Sequence, residues 1–123
     1  MQLDLSSIHV EKKAYDLGEW AVQFTQRPLW HITKDGTKTR CRGTTNFETE
    51  TITIDGTLVK DIQRSTFLHE MIHILDNFKE IVDKDGECYQ ALDAEEYTLL
   101  REYVISIALE HFEWMLKQRA KRR

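Results

Sequence analysis

The stretch STFLHEMIHILD, residues 65–76, combines a helical apolar pattern with two histidines four residues apart. On a helix that turns about 100° per residue, one broad arc collects the apolar residues of this region, namely Phe67, Leu68, Met71, Ile72, Ile74, Leu75 and Phe78. The opposite side collects polar residues, namely Ser65, Thr66, His69, His73, Asp76 and Glu80. We therefore predict a helix whose apolar arc packs on the core while both histidines face outward.

The spacing of His69 and His73 is that of a metal site. Residues i and i+4 are neighbours on a helix, with Cβ atoms about 5–6 Å apart, so two imidazoles can bind one zinc ion. Glu70 lies about 100° round the helix from His69, too far to join them as a ligand, but it can reach a water on the metal. The pattern predicts a Zn²⁺ cofactor on His69 and His73, with Glu70 as catalytic general base. A chance match on an exposed helix is the alternative.

A zinc site with an open catalytic position needs a third protein ligand. Glu102 borders an apolar run, Tyr103–Leu109, which we expect to be buried. A carboxylate there is costly unless it is paired or bound to a metal, so Glu102 is the predicted third metal ligand. Glu95 and Glu96 are the alternatives, and an ion pair with Arg101 is the other role considered for Glu102.

Several other polar and aromatic residues have candidate roles. Asp76, one turn after His73, would either accept a hydrogen bond from an imidazole or lie in solvent. Candidate donors to a reaction oxyanion are His111, Tyr97 and Tyr103, although core or surface positions are the simpler expectation for all three. The simplest interpretation makes core aromatics of the three tryptophans, Trp20, Trp30 and Trp114.

The predicted elements are strands followed by helices, which indicates an α+β class. The expected strands are Ser7–Val10, Trp20–Phe24, Leu29–Thr33 and Glu50–Asp55, with turns at Lys34–Gly36 and Ile54–Gly56. Residues 11–24 could instead form a short helix. The first long helix would have Asp61 as its N-cap or N′ residue and reach Phe78. The second would be capped by Asp93, with Glu96 completing a capping box, and reach about Arg119.

Length and composition fit one globular domain, residues 1–123, with 41% hydrophobic and 31% charged residues. The net charge of −4 gives no reason to expect nucleic-acid binding, apart from a weak contact by the basic tail Lys117–Arg123, which is more simply a solvated helix end. Two cysteines, no signal peptide and no apolar stretch of membrane-spanning length predict a cytoplasmic protein with free thiols and no membrane partner.

Together, the segments TNFETETITID and IQRSTFLHEMIHILD resemble the gluzincin-type metallopeptidases, in particular the minigluzincins, and the phage and bacterial ImmA/IrrE-type metallo-endopeptidases. The resemblance covers about residues 43–112. It implies a zincin-like fold, with a small twisted sheet, an active-site helix and a long C-terminal backing helix that carries the glutamate ligand, here Glu102. It also implies that a peptide or protein substrate adds to an edge strand, here Glu50–Asp55.

The function expected from these observations is that of a zinc-dependent metallopeptidase, in which Glu70 activates a water on the metal. The alternative is a zinc-stabilised, non-catalytic binding protein with the same fold. A third interpretation has no metal at all. The chain departs from the ImmA type after Glu102, where Ile107–Leu109 stands in place of an Asn-x-Phe-Ala run.

Overall fold

The computed structural model describes residues 1–10, 13–82, 88–90 and 94–121, and it describes side-chain environments outside residues 9–15 and 78–94. The helices are α1 (Lys60–Lys79) and α2 (Ala94–Lys121). The strands are β1 (Gln2–Asp4), β2 (Ile8–Val10), β3 (Lys13–Tyr15), β4 (Glu19–Thr25), β5 (Leu29–Ile32), β6 (Lys38–Cys41), β7 (Gly43–Asn46), β8 (Thr51–Asp55), β9 (Glu80–Val82) and β10 (Cys88–Gln90). This mixture of small sheets and two helices confirms the α+β class.

The main sheet has four strands in the order β1–β4–β8–β7. Strands β4 and β8 are parallel, with Val22 opposite Ile52, while β1 and β7 pair antiparallel with β4 and β8. Side chains alternate along β8 as predicted, since Ile52 and Ile54 are fully buried while Thr51 and Thr53 are half-buried. Residues 19–25 form β4, so the alternative of a short helix over residues 11–24 is wrong.

The two helices cover one face of this sheet and close the core. On α1, the buried apolar residues are Phe67, Met71, Ile74 and Leu75, all from the predicted arc. Phe67 stacks on Phe112 of α2, with ring centroids 5.0 Å apart. The first forty residues, for which the sequence offered no family match, add Leu3, Leu5, Ile8, Leu17, Trp20 and Val22 to the same core.

The helix boundaries differ slightly from the expected ones. Helix α1 begins at Lys60, so Asp61 lies in its first turn, where an acid still favours the helix dipole, and is not the N-cap. Helix α2 begins at Ala94, and the predicted cap Asp93 lies outside the described residues. In the part of the chain that is described, neither helix has an apolar stretch long enough to cross a bilayer.

The hairpin of β5 and β6 is a separate two-stranded sheet that is tied to the core through Asp55. Asp55 is fully buried at the end of β8; Arg40 donates to its Oδ2 at 3.0 Å, and the backbone N–H of Leu29 donates to the same oxygen. Burial raises the pKa of Asp55, but hydrogen bonds from Thr57, Arg40 and Leu29 outweigh it and lower the pKa to about 2. The charged form of Asp55 therefore holds the base of the hairpin.

Two of the three tryptophans are not in the core. Trp20 is buried, and its indole N–H donates to the carbonyl of Leu17 at 2.9 Å. Trp30 is 47% exposed on β5 and Trp114 is 51% exposed on α2, so the expectation of core positions is wrong for both. Aromatic character alone does not distinguish a core position from a surface one, because both elements leave one face in solvent.

Candidate metal centre

Helix α1 brings His69 and His73 together on its exposed side, as their spacing predicts. The two Nε2 atoms are 3.2 Å apart, and the rings are nearly perpendicular, at 84°. Both side chains are exposed, while the neighbouring Glu70 is only 6% exposed. Within the described part of the chain, His69, Glu70 and His73 are the group of three potential ligands whose donor atoms all lie within 4.8 Å of one another.

The separation of the two nitrogens fits zinc. Two nitrogens that each lie about 2.0–2.1 Å from a tetrahedral zinc ion are about 3.3 Å from each other. The 3.2 Å between the Nε2 atoms of His69 and His73 is close to that value. A hydrogen bond between the two imidazoles also fits this distance when no ion is present. The separation of the two nitrogens is therefore compatible with a shared zinc ion.

Glu70 is held in place by the strand that faces α1. The hydroxyl of Thr45, on β7, donates to Oε2 of Glu70 at 2.6 Å. Thr45 is opposite Ile52 in the β7–β8 register, so its side chain points to the buried face of the sheet, where α1 lies. This hydrogen bond leaves Oε1 of Glu70 available to another partner. The position of the carboxylate is thus set by a contact between α1 and the sheet.

The contact between α1 and β7 is possible because residue 43 is a glycine. A Cβ at Gly43 would lie 2.6 Å from Cγ2 of Thr66 and 3.0 Å from the backbone oxygen of Thr53. Any larger residue would push the strand away from the helix. Thr66, assigned from sequence to the outward side of the helix, is in fact 4% exposed because it packs against this glycine.

A cleft of about 520 Å³ lies between the start of β7 and the outward side of α1. It is lined by Cys41, Arg42, Gly43, Ser65, Thr66, His69 and Glu70. Burial, followed by the nearby carboxylates of Glu70 and Asp55, raises the pKa of the Cys41 thiol, so this residue is a neutral thiol at pH 7. The cleft therefore gives a small ligand access to His69 and Glu70.

The edge strand beside the cleft is β7, and the expectation that Glu50–Asp55 forms the edge is wrong. Strand β8 pairs with β4 on one side and β7 on the other, so its main-chain groups are already used. The apolar alternation of β8 predicts that one of its faces is buried, but it does not distinguish a central strand from an edge strand. Among the described strands, none pairs with the other side of β7, which is only Gly43–Asn46 in length.

Glu102 does not join the two histidines. It is exposed on α2, and it lies outside the group of donor atoms around His69 and His73. The expectation that Tyr103–Leu109 is buried all round is wrong, since Tyr103 is 45% exposed. The buried stripe of α2 includes Leu100 and Val104, and Glu102 is about 200° round the helix from each, on the solvent side. As a metal ligand, Glu102 stays a prediction.

The alternative acids on α2 are also outside the group. Glu95 is exposed and Glu96 is half-buried, and neither has its carboxylate within the cluster. Asp76, on α1, accepts a hydrogen bond from the hydroxyl of Tyr97. Burial, followed by this hydrogen bond, raises the pKa of Tyr97 to about 12. The Asp76–Tyr97 pair therefore joins the two helices one turn beyond His73.

The remaining candidate donors are not near the cleft. His111 packs its ring on Trp114, and its Nε2 atom is buried without a hydrogen-bond partner in the described structure. Burial lowers the pKa of His111, although a hydrogen bond with the backbone of Gln2 opposes this shift. Tyr103, the other candidate donor, is 45% exposed on α2. None of these residues lines the cleft beside Glu70.

Sequence reasoning did not identify Thr45 and Gly43 as residues of this site. A glycine in a strand can indicate that another backbone or side chain approaches it closely, and Gly43 could have been identified in this way. No pattern in the sequence pairs Thr45 with Glu70, 25 residues later, because the contact depends on how α1 crosses the sheet.

The comparisons with protein-family models, curated proteins and solved structures gave no match to the chain.

Proposed function

We propose that this protein is a zinc-dependent metallopeptidase with a zincin-like fold, whose zinc ion is held by His69 and His73. The observation that carries the proposal is the 3.2 Å separation of the two Nε2 atoms, next to the carboxylate of Glu70 and at the mouth of a cleft. This combination supports the proposal, because two histidines, a carboxylate and a cleft of about 520 Å³ lie next to one another.

The chemistry divides between the ion and the side chains. Zinc, when bound, would polarise a water molecule and lower its pKa toward neutrality. Glu70 would accept a proton from that water and deliver it to the amine that leaves the cleaved peptide bond. Thr45 would orient Glu70 through its hydrogen bond to Oε2, so that Oε1 faces the cleft. Burial of Glu70 would limit competing contacts of its carboxylate with bulk water.

A peptide substrate would add to the free edge of β7. The strand offers its unpaired main-chain groups next to the cleft, and an extended peptide can pair with such an edge. A peptide in that position would pass in front of His69 and Glu70, because both line the cleft at the start of β7.

The third zinc ligand would come from Glu102, Glu95 or Glu96 after a rearrangement of α2, or from a residue outside the described part.

A test begins with the metal. Purified protein should contain about one zinc per chain by elemental analysis, and a His69→Ala, His73→Ala double variant should contain none. His31→Ala, which removes an exposed histidine from the hairpin, is the matched control and should keep the metal. Equal zinc contents in all three proteins would exclude the site. Glu102→Gln, Glu95→Gln and Glu96→Gln then identify the third ligand, whose loss should weaken zinc binding by about tenfold or more.

The second part tests catalysis. Glu70→Gln should keep the zinc and lower the cleavage of a peptide library by about 100-fold or more, since a general base contributes at least that factor. Glu110→Gln, an exposed acid on α2, is the control and should leave cleavage unchanged. Full activity in Glu70→Gln would contradict the assigned role of this residue.

The second candidate function is a zinc-stabilised binding protein without turnover. Two observations favour it: the described cluster contains two histidines and one carboxylate with no third ligand beside them, and Glu70 already links α1 to β7 through Thr45. If the zinc-loaded protein cleaves no peptide in the library while Glu70→Gln lowers the melting temperature, this second function is the correct one.

A further inference from the structure

The β5–β6 hairpin, residues 29–41, carries an exposed surface that the proposed peptidase function does not use. It forms its own two-stranded sheet and contributes no residue to the buried core. Most of its side chains are exposed, including two large apolar ones, Trp30 at 47% and Ile32 at 63%. Large apolar side chains that are exposed next to one another, and not singly, are typical of a surface that contacts a partner.

Charge is strongly segregated toward this hairpin. Residues 26–43 contain one acid, Asp35, and five basic residues: Arg27, Lys34, Lys38, Arg40 and Arg42. This short segment has a net charge of +4 within a chain whose net charge is −4, so the other residues together carry −8. The overall charge, from which no nucleic-acid binding was expected, averages these two regions and hides the basic one.

The cations and the apolar side chains share one face of the hairpin. Trp30 is directly opposite Arg40 and Ile32 is directly opposite Lys38 in the antiparallel register. The Lys38 Nζ atom lies 5.2 Å from the centre of the Trp30 ring, and the Arg40 Cζ atom lies 6.0 Å from it. These cation–π contacts place both cations over the Trp30 ring, which still has 47% of its surface exposed.

We propose that this face of the β5–β6 hairpin binds single-stranded nucleic acid. Trp30 keeps an exposed surface on which a base can stack, and Lys38 lies next to it to meet a phosphate, which are the two kinds of contact that such ligands require. Arg40, which is bound to Asp55, adds positive charge to the same face. The bases must be unpaired, because stacking on Trp30 needs an open base face. The inference does not depend on zinc or on peptide cleavage.

Other polyanions fit this face less well. The aspartate and glutamate side chains of an acidic peptide would meet the cations, but they have no flat ring system to stack on Trp30. An anionic membrane would require a broader apolar area, whereas here each apolar side chain has a cation directly opposite it. A base that stacks on Trp30 would bring its own phosphate close to Lys38, so one nucleotide can use both contacts.

The test should leave Arg40 unchanged, because Asp55 is buried and depends on its guanidinium. Binding of a fluorescein-labelled strand of about 15 thymidines is measured by anisotropy with the full chain, at several salt concentrations. The test variants are Trp30→Ala and Lys38→Glu. The controls are Trp114→Ala, which removes a tryptophan of similar exposure from α2, and Lys117→Glu, which reverses an exposed cation there.

The expected result is salt-dependent binding that weakens about tenfold or more in Trp30→Ala, the loss typical of one stacked base. Lys38→Glu should weaken binding and reduce the slope of log affinity against log salt by about 0.7, the value for one phosphate contact to a single strand. Both controls should bind like the unchanged protein. Thermal melting of all variants should agree within a few degrees, so that loss of binding is not loss of folding.

Three results would overturn the proposal. The first is no binding to the oligonucleotide at low salt. The second is binding that Trp114→Ala and Lys117→Glu weaken as much as the hairpin variants do, which would place the contact on α2. The third is tighter binding, dependent on Trp30, to phosphatidylserine vesicles or to polyglutamate than to the oligonucleotide, which would assign the face to a membrane or to an acidic protein.

Discussion

Replacing Gly43 with alanine tests whether the close approach of β7 to α1 shapes the cleft. The added Cβ would lie 2.6 Å from Cγ2 of Thr66 and 3.0 Å from the backbone oxygen of Thr53. The first distance is about 1 Å shorter than an optimal carbon–carbon contact. Because Thr66 is buried on a helix and Thr53 belongs to a central strand, neither atom can move alone. We expect a loss of about 1–3 kcal/mol in the free energy of unfolding, typical of overpacking.

The clash with Thr66 can be removed by a second substitution. Thr66→Ser deletes the methyl group that the new Cβ would meet, and by itself costs about 1 kcal/mol through lost apolar burial. The double variant should then be more stable than the sum of the two single effects predicts, by about 1 kcal/mol or more. Urea unfolding at 25 °C, with unchanged m values, gives the three free-energy differences.

Gly36→Ala is the matched control. Gly36, unlike Gly43, has a positive φ, 85°, and among the described residues no atom lies within 4 Å of its added Cβ. Its substitution should cost about 1 kcal/mol through backbone strain alone and should show no coupling to Thr66→Ser. If Gly43→Ala and Thr66→Ser were additive within about 0.5 kcal/mol, the proposed steric contact between β7 and α1 would be refuted.

Three further predictions concern stability. The pKa of Asp55 is about 2 in the folded protein, against an ordinary value of 3.8. The charged carboxylate therefore contributes about 2 kcal/mol to the free energy of unfolding above pH 4, and this contribution is lost as the pH falls to 2. The difference in unfolding free energy between the unchanged protein and Asp55→Asn should shrink by that amount over this range. The pKa of His111 is lowered below 6.5 by burial, so stability should fall as the pH drops below 6.5, and His111→Gln should reduce this dependence in thermal melts at pH 5 and 8. Phe67→Ala, at a fully buried residue, should cost about 3–5 kcal/mol, whereas Arg64→Ala, which removes partly exposed ion pairs, should cost about 1 kcal/mol or less in the same urea assay.

The parts of the candidate site that lie on one element followed from local geometry. The helical spacing of His69 and His73 predicted that their imidazoles would meet, and the two Nε2 atoms are 3.2 Å apart. The apolar arc of the same helix predicted its buried side correctly at Phe67, Met71 and Leu75. In both cases the relation between residues three or four positions apart depends only on the helix repeat, which tertiary packing does not alter.

The parts that require two elements did not follow from the sequence. Glu102 was predicted to be buried from its apolar neighbours, but α2 buries a single stripe that includes Leu100 and Val104, and this rotation turns Glu102 to solvent. The sequence does not decide whether Trp30 is a core or a surface residue. This depends on the hairpin that carries it, which forms a sheet separate from the main one. Neither the rotation of a helix nor the docking of a hairpin is encoded in a local pattern.

The sequence by itself determined the α+β class, the helix that carries the histidine pair and the alternating strand β8, because each depends on the periodicity of one segment. Only the tertiary structure decided that β7 is the edge strand, that Thr45 holds Glu70 and that Gly43 brings the strand close to α1. Thr45 and Glu70 are 25 positions apart, and Gly43 and Thr66 are 23 positions apart. Their geometry is set by how the sheet and the helix pack, which minimises the free energy of the whole core and not of any one segment.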